Sequence, residues 1–271
     1  MVDFGKNGKW GLQMSIRYYA MCTACENPVV LVGLYKKTDP YKKEAHGRHR
    51  SKSLNGFPCY NQQAYDLCPL ASKNRAFERD GRKPPKFDKL ASEISKMLTE
   101  QFDRVVYLLQ RNTDIKLGKN TLKNMLAEYL SSRGNYYMGA TLENTPWIFA
   151  YMTANHKLYG QSVKKDSPLA NAIKKNCPEA ALEDISNNYI RISAKKGKFL
   201  DLTFAFVGHR QVRRKGETVE LMQLMVWRKK DEIYKKEIVF DTDYWFSLVN
   251  FNDGNRQYDL VELARESLHH G

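Results

Sequence analysis

The chain has no apolar run approaching the roughly 18 residues of a membrane span. Its opening segment, MVDFGKNGKWGLQM, lacks the apolar core of a secretion signal. The expectation is therefore a cytoplasmic protein with no membrane partner, in a compartment where thiols stay reduced. Several catalytic signatures are missing as well. There is no glycine-rich phosphate loop of the Walker or dinucleotide type, no Gly-x-Ser-x-Gly and no His-Glu-x-x-His. Asp201, Glu217 and Glu220 lie near Lys198 and Lys215, yet Glu220 is followed by Leu221 and Met222. The Glu-x-Lys step of one class of metal nuclease is thus absent. Internal repeats and low-complexity tracts are also lacking.

Acidic side chains are few for the number of basic ones: 30 Asp and Glu against 44 Lys and Arg, a net charge of +14. The excess is uneven. Residues 1–86 carry +9, residues 87–186 only +2, residues 187–240 carry +7, and residues 241–271 carry −4. Two basic blocks thus flank a nearly neutral middle. A surface of this kind attracts polyanions, and DNA or RNA is the expected partner. Disorder is excluded, because a 42% hydrophobic and 12% aromatic chain of 271 residues has material for one large core or two smaller ones.

Short strands are predicted at Ser15–Tyr19 and along the β-branched run Val29–Tyr35. Residues 38–62 have neither helical nor strand period and read as a polar loop held by something other than a core. The charged, proline-terminated stretch 73–86 marks a boundary. A zinc-binding β module with a basic loop is therefore expected over residues 1–80, and an α+β domain over 87–271. In the second domain, apolar residues at three- and four-residue steps from Phe87 to Leu109 predict one amphipathic helix. Another is predicted over 121–133, ended by Gly134. The segment Trp147–Met152 belongs to the core. Ser167-Pro168 has the cap-then-proline order of a helix start, with the helix running to about Lys175. Pro178-Glu179 reads as the start of another short helix. Strands 189–193, 199–207, 219–227 and 237–240, separated by basic turns, predict an antiparallel meander in a sheet region of 188–250. Leu260–Leu268 reads as a closing helix. The expected fold class is α+β: an N-terminal zinc knuckle joined to helices packed on an antiparallel meander.

Four of five cysteines fall between positions 22 and 68: Cys22-Thr-Ala-Cys25, Cys59 and Cys68. A Cys-x-x-Cys pair brings two thiolates onto one tetrahedral ion, and its place between two predicted strands suits a knuckle. Cys22, Cys25, Cys59 and Cys68 are accordingly the expected ligands of a structural Zn²⁺, with His46 or His49 able to replace one or both of the second pair. A redox role would need a thioredoxin-like βαβ setting, which the valine-rich strand after Cys25 does not supply. The loop also has too few apolar side chains to order itself without a staple. Cys177 reads as an ordinary buried thiol.

If cysteines alone hold the ion, His46 and His49 remain beside Arg48 and Arg50 as candidate general base and phosphate clamp of a metal-dependent nuclease. Such an enzyme needs a further metal-binding Asn or His; Asn55 and Asn61 are available, but no other His precedes His156. The expected nucleic-acid contacts are Lys42, Lys43, Arg48, Arg50 and Lys52 in the first block, interleaved with aromatics. In the second they are Lys195, Lys196, Lys198, Arg210, Arg213, Arg214 and Lys215, with His209 read as a further surface phosphate contact. The turns at 195–198 and 228–230 are expected to share one end of the sheet. A third reading makes the chain a protein-interaction adaptor that docks a partner through the acidic, Tyr- and Trp-bearing segment 241–263.

Overall fold

The fold is that of a computed structural model, which describes residues 17–33, 45–50, 52–66, 68, 70–71, 78–214, 217–251 and 256–269. The chain divides into two compact units, Met1–Ala71 and Ser72–Gly271.

In the first unit, β1 (Tyr18–Met21) and β2 (Pro28–Val32) pair antiparallel, with Met21 opposite Pro28. The other edge of β2 is not bare. The polar segment expected to be loop supplies β3 (His46–His49), which pairs with β2 so that Val29 faces His49 and Val32 faces His46. Its side chains, His-Gly-Arg-His, carry no strand pattern. The backbone hydrogen-bonding groups along β2 specify the strand instead, and an edge strand tolerates polar side chains. Arg50 N extends the ladder to Pro28 O at 3.0 Å. A single helical turn, α1 (Gln62–Asp66), precedes Cys68.

The second unit opens with two helices where one was expected. α2 (Asp88–Glu100) closes as Gln101 N bonds Met97 O, and α3 (Phe102–Thr113) opens as Val105 N bonds Gln101 O. Gln101 itself, at φ −117°, is out of helical conformation. The apolar period passes through the break unchanged, which is why it is invisible to periodicity. After the short β4 (Ile115–Lys116), α4 (Lys119–Ser131) ends two residues before its predicted limit. Arg133, not Gly134, takes the left-handed conformation at its end. Gly134 is required for space: a Cβ there would sit 2.3 Å from the buried Tyr129 ring.

α5 (Thr145–Tyr151) is buried throughout, as the aromatic segment implied. β5 (His156–Lys157) and β6 (Ser162–Lys164) follow, then α6 (Pro168–Asn176), where Ser167 Oγ accepts from Ala170 N as its sequence predicts. The residues after Pro178-Glu179 form a strand, β7 (Ala180–Asp184), paired with β8 (Tyr189–Ala194). A further difference lies in the meander. β8 belongs to a separate sheet of order β4-β6-β8-β7, and only β9 (Leu202–Arg214), β10 (Glu217–Arg228) and β11 (Asp231–Val239) form the meander, with β5 on the free side of β9. Ile190 and Ile192 of β8 point into their own small core, so the 195–201 segment is a crossover between sheets rather than a hairpin. The chain closes with α7 (Thr242–Phe251), inside the region assigned to sheet, and α8 (Tyr258–His269). Within the described part of 241–263, Trp245, Leu248, Leu260 and Val261 are buried.

Candidate metal centre

The turn between β1 and β2 is a knuckle. Cys22 N donates to Asn27 O and Glu26 N to Cys22 O, both at 2.9 Å, and Glu26 adopts φ +55° to close it. This geometry turns Cys22 and Cys25 toward one side, both buried. Because β3 pairs with β2 in the stated register, His49 arrives beside the knuckle. Its Nε2 lies 3.3 Å from Cys25 Sγ and 3.6 Å from Cys68 Sγ, and Cys22 Sγ lies 3.7 Å from Cys68 Sγ. The four donor atoms all fall within 4.8 Å of one another.

These spacings suit a tetrahedral ion. For metal–sulfur bonds of about 2.3 Å and metal–nitrogen bonds of about 2.0 Å, the edges of the tetrahedron are roughly 3.8 Å between sulfurs and 3.5 Å from sulfur to nitrogen. The Cys₃His group could therefore hold a metal ion, with four protein donors and no open position. Hydrogen bonding from Cys22, then from Cys68, holds the Cys25 thiol down to about 3, with Asn27 adding to this and burial opposing it. The same bonding to Cys22 and Cys25, with burial, pushes the Cys68 thiol strongly upward.

Three of the expected ligands come together and Cys59 does not: it is exposed, outside the group, and His49 takes the fourth place. His46, three residues back along β3 and so about 10 Å away along the strand, is exposed. Asn27 is a residue that sequence reasoning missed. It is buried, its Nδ2 donates to Cys25 Sγ at 3.5 Å and to Asn61 O at 2.9 Å, and its Oδ1 accepts from Asn61 N at 2.7 Å. It thereby ties the knuckle to the segment leading to Cys68. The His49 ring packs edge-on against Tyr65 at 5.3 Å, and Cys68 N donates to Tyr65 O. The available signal was an amide residue two places after Cys25 in a turn.

Outside the ligands, Arg48 and Lys52 are exposed, and Arg50 donates to Tyr19 Oη at 2.8 Å while lying over the Tyr19 ring. Lys42, Lys43 and Lys215, and the side chain of Arg213, lie outside the described residues. Arg214 pairs with Glu237 at 2.8 Å and Arg210 approaches it at 3.9 Å, so two expected phosphate contacts already share a carboxylate. Lys195, Lys196 and Lys198 are exposed.

His209 departs most from its expected surface role. Leu221 faces Arg210 and Gln223 faces Val207, so Gly208 and His209 together oppose Met222 in a bulge, with Gly208 at φ +66°. The bulge turns His209 inward. There Nδ1 lies 2.8 Å from Tyr137 Oη and Nε2 lies 2.6 Å from Glu220 Oε1, which also accepts from Asn144 Nδ2 at 2.6 Å. The imidazole stacks on Phe240, and Phe240 on Trp147. This is a satisfied polar network joining the helices to the sheet. A glycine within a strand pattern was the available sign of the bulge.

No protein-family model matches the chain, and neither a curated protein nor a solved structure matches it. Among the described residues, no helix is long and apolar enough to cross a membrane.

Proposed function

We propose that the protein binds nucleic acid through the phosphate backbone, with a structural zinc ion at Cys22, Cys25, His49 and Cys68 fixing one of the contact surfaces. The observation that carries this reading is the position of β3. One residue of the strand, His49, could serve as a metal donor, while the neighbouring Arg48 and, beyond the strand, Lys52 are exposed and Arg50 is half-buried over Tyr19. Sulfur-rich, closed donor sets favour zinc in a structural role, and thiolate ligation fits the reducing cytoplasm. With His49 assigned to the metal, the nuclease reading loses one of its two candidate bases, and among the described residues His46 belongs to no metal-ligating group.

The test is direct. Purified protein is assayed for bound metal and for its A260/A280 ratio, and affinity for labelled DNA and RNA is followed against salt. One zinc per chain is expected, with affinity that falls steeply as salt rises and a slope that drops by about one for each phosphate contact removed in Arg48→Ala, Arg50→Ala or Lys52→Ala. Absent or salt-independent binding would refute the reading.

A further inference from the structure

The second unit turns two aromatic rings outward at one end. Phe199 is 82% exposed and Tyr159 is 50% exposed. Backbone bonds draw their segments together. Leu158 N donates to Leu202 O at 2.9 Å and Gly160 N to Ile192 O at 2.8 Å, so the Tyr159 turn is fastened to the strands on both sides of the 195–201 crossover. That crossover carries Phe199 together with Lys195, Lys196 and Lys198. The β10–β11 turn is fastened to it as well, because Lys229 N donates to Asp201 O at 3.0 Å. Glu179 completes the tie: its carbonyl accepts from Lys195 N, and its carboxylate holds Arg228 at 2.6 Å.

Leu200 and Leu202, on either side of Asp201, are buried while Phe199 faces water. An apolar ring held in water, with a second at the same end and exposed lysines on the same crossover, points to a ligand that is both anionic and flat-faced. Charge selects further. The carboxylates at this end are Glu179, Asp201, Asp231 and Glu232; Glu179 is taken by Arg228, and Lys195, Lys196 and Lys198 make no ion pair among the described residues. Unpaired bases offer faces that stack on aromatic rings while their phosphates meet lysines. A duplex hides those faces, and a lipid surface calls for a broader apolar face than two separate rings.

We infer that this end of the unit binds single-stranded nucleic acid, with Phe199 and Tyr159 stacking on bases and Lys195, Lys196 and Lys198 contacting phosphates. This rests on the nucleic-acid reading above and adds the form of the polymer and the residues that select it. The experiment measures binding of the full-length protein to labelled oligo(dT), to a duplex of equal length, and to phosphatidylcholine vesicles containing phosphatidylserine. Phe199→Ala is expected to weaken oligo(dT) binding about tenfold or more, the loss of one base–aromatic stack, and to leave duplex binding unchanged. Phe199→Trp keeps the affinity. The position is exposed, and far-UV circular dichroism verifies that both variants fold. If wild type binds oligo(dT) and Phe199→Ala binds it equally well, the surface is wrong while the nucleic-acid reading stands. If wild type binds neither oligonucleotide, both fall. Equal losses on duplex and single strand, or Phe199-dependent binding to vesicles without binding to oligo(dT), also overturn it.

Discussion

Asn27 stands directly beside the group that could hold a metal ion. It touches one donor sulfur and, through two bonds to Asn61, fixes the chain that delivers another. Its effect should resemble that of other residues that orient metal ligands: Asn27→Ala is expected to lower metal affinity about 10- to 100-fold, read by competition with a chromogenic chelator. His49→Ala should abolish tight binding in the same assay. Cys59→Ser should leave both affinity and stoichiometry unchanged, because that thiol is exposed and outside the group. A Cys59→Ser variant that lost its metal would refute the assignment of the fourth ligand. From the sequence, three of the four donors were legible, since cysteine clustering is a composition signal. The fourth was expected at Cys59, with His46 or His49 only as replacements, because the choice depends on strand register, and the β3 ladder is written in β2 and not in His46–His49.

Between elements, the contact of α4 with β5 carries an ionisable group in an unfavourable setting. His156 is buried, with Nε2 3.4 Å from Glu128 on α4. Burial lowers its pKa below the ordinary 6.5, and the Glu128 charge opposes this only in part. The neutral ring is thus favoured in the fold, while the unfolded chain takes up a proton first as pH falls. This contribution to stability is complete above about 6.5 and diminishes as pH drops from there toward the lowered native value. His156→Phe should flatten the pH dependence of urea midpoints in that window. An unchanged dependence would show that the group does not titrate differentially. The same scale explains what could and could not be read beforehand. Ser167-Pro168 specifies the start of α6 through a bond to Ala170 N only three residues on, so it was readable. The start of α7 had a comparable mark, with Asp241 Oδ1 accepting from Tyr244 N at 3.1 Å, but it goes unread where 241–250 is assigned to the sheet region and the acidic segment. The Gln101 break and the assignment of β8 to its own sheet depend on partners far along the chain, which no local pattern encodes.

Across the whole molecule, the two units differ in what orders them. The second has a continuous core that includes Trp147, Trp245, Phe102, Phe149, Phe204 and Phe206. Among the described residues of the first, the buried ones include three cysteines of the group that could hold a metal, and apolar burial is slight. Folding there should be linked to metal binding. A strong chelator is expected to make residues 17–71 susceptible to protease while the second unit keeps its helical circular dichroism and its thermal transition, with recovery on adding zinc. Simultaneous loss of both would mean that the second unit also depends on the ion. The division has one more consequence. If each unit grips the same polymer, the second contact forms at the effective concentration set by the covalent join and not at the bulk one. Avidity then makes the length of a strand the quantity that the protein senses, since a fragment long enough for both units is held far more tightly than two short pieces of equal total length.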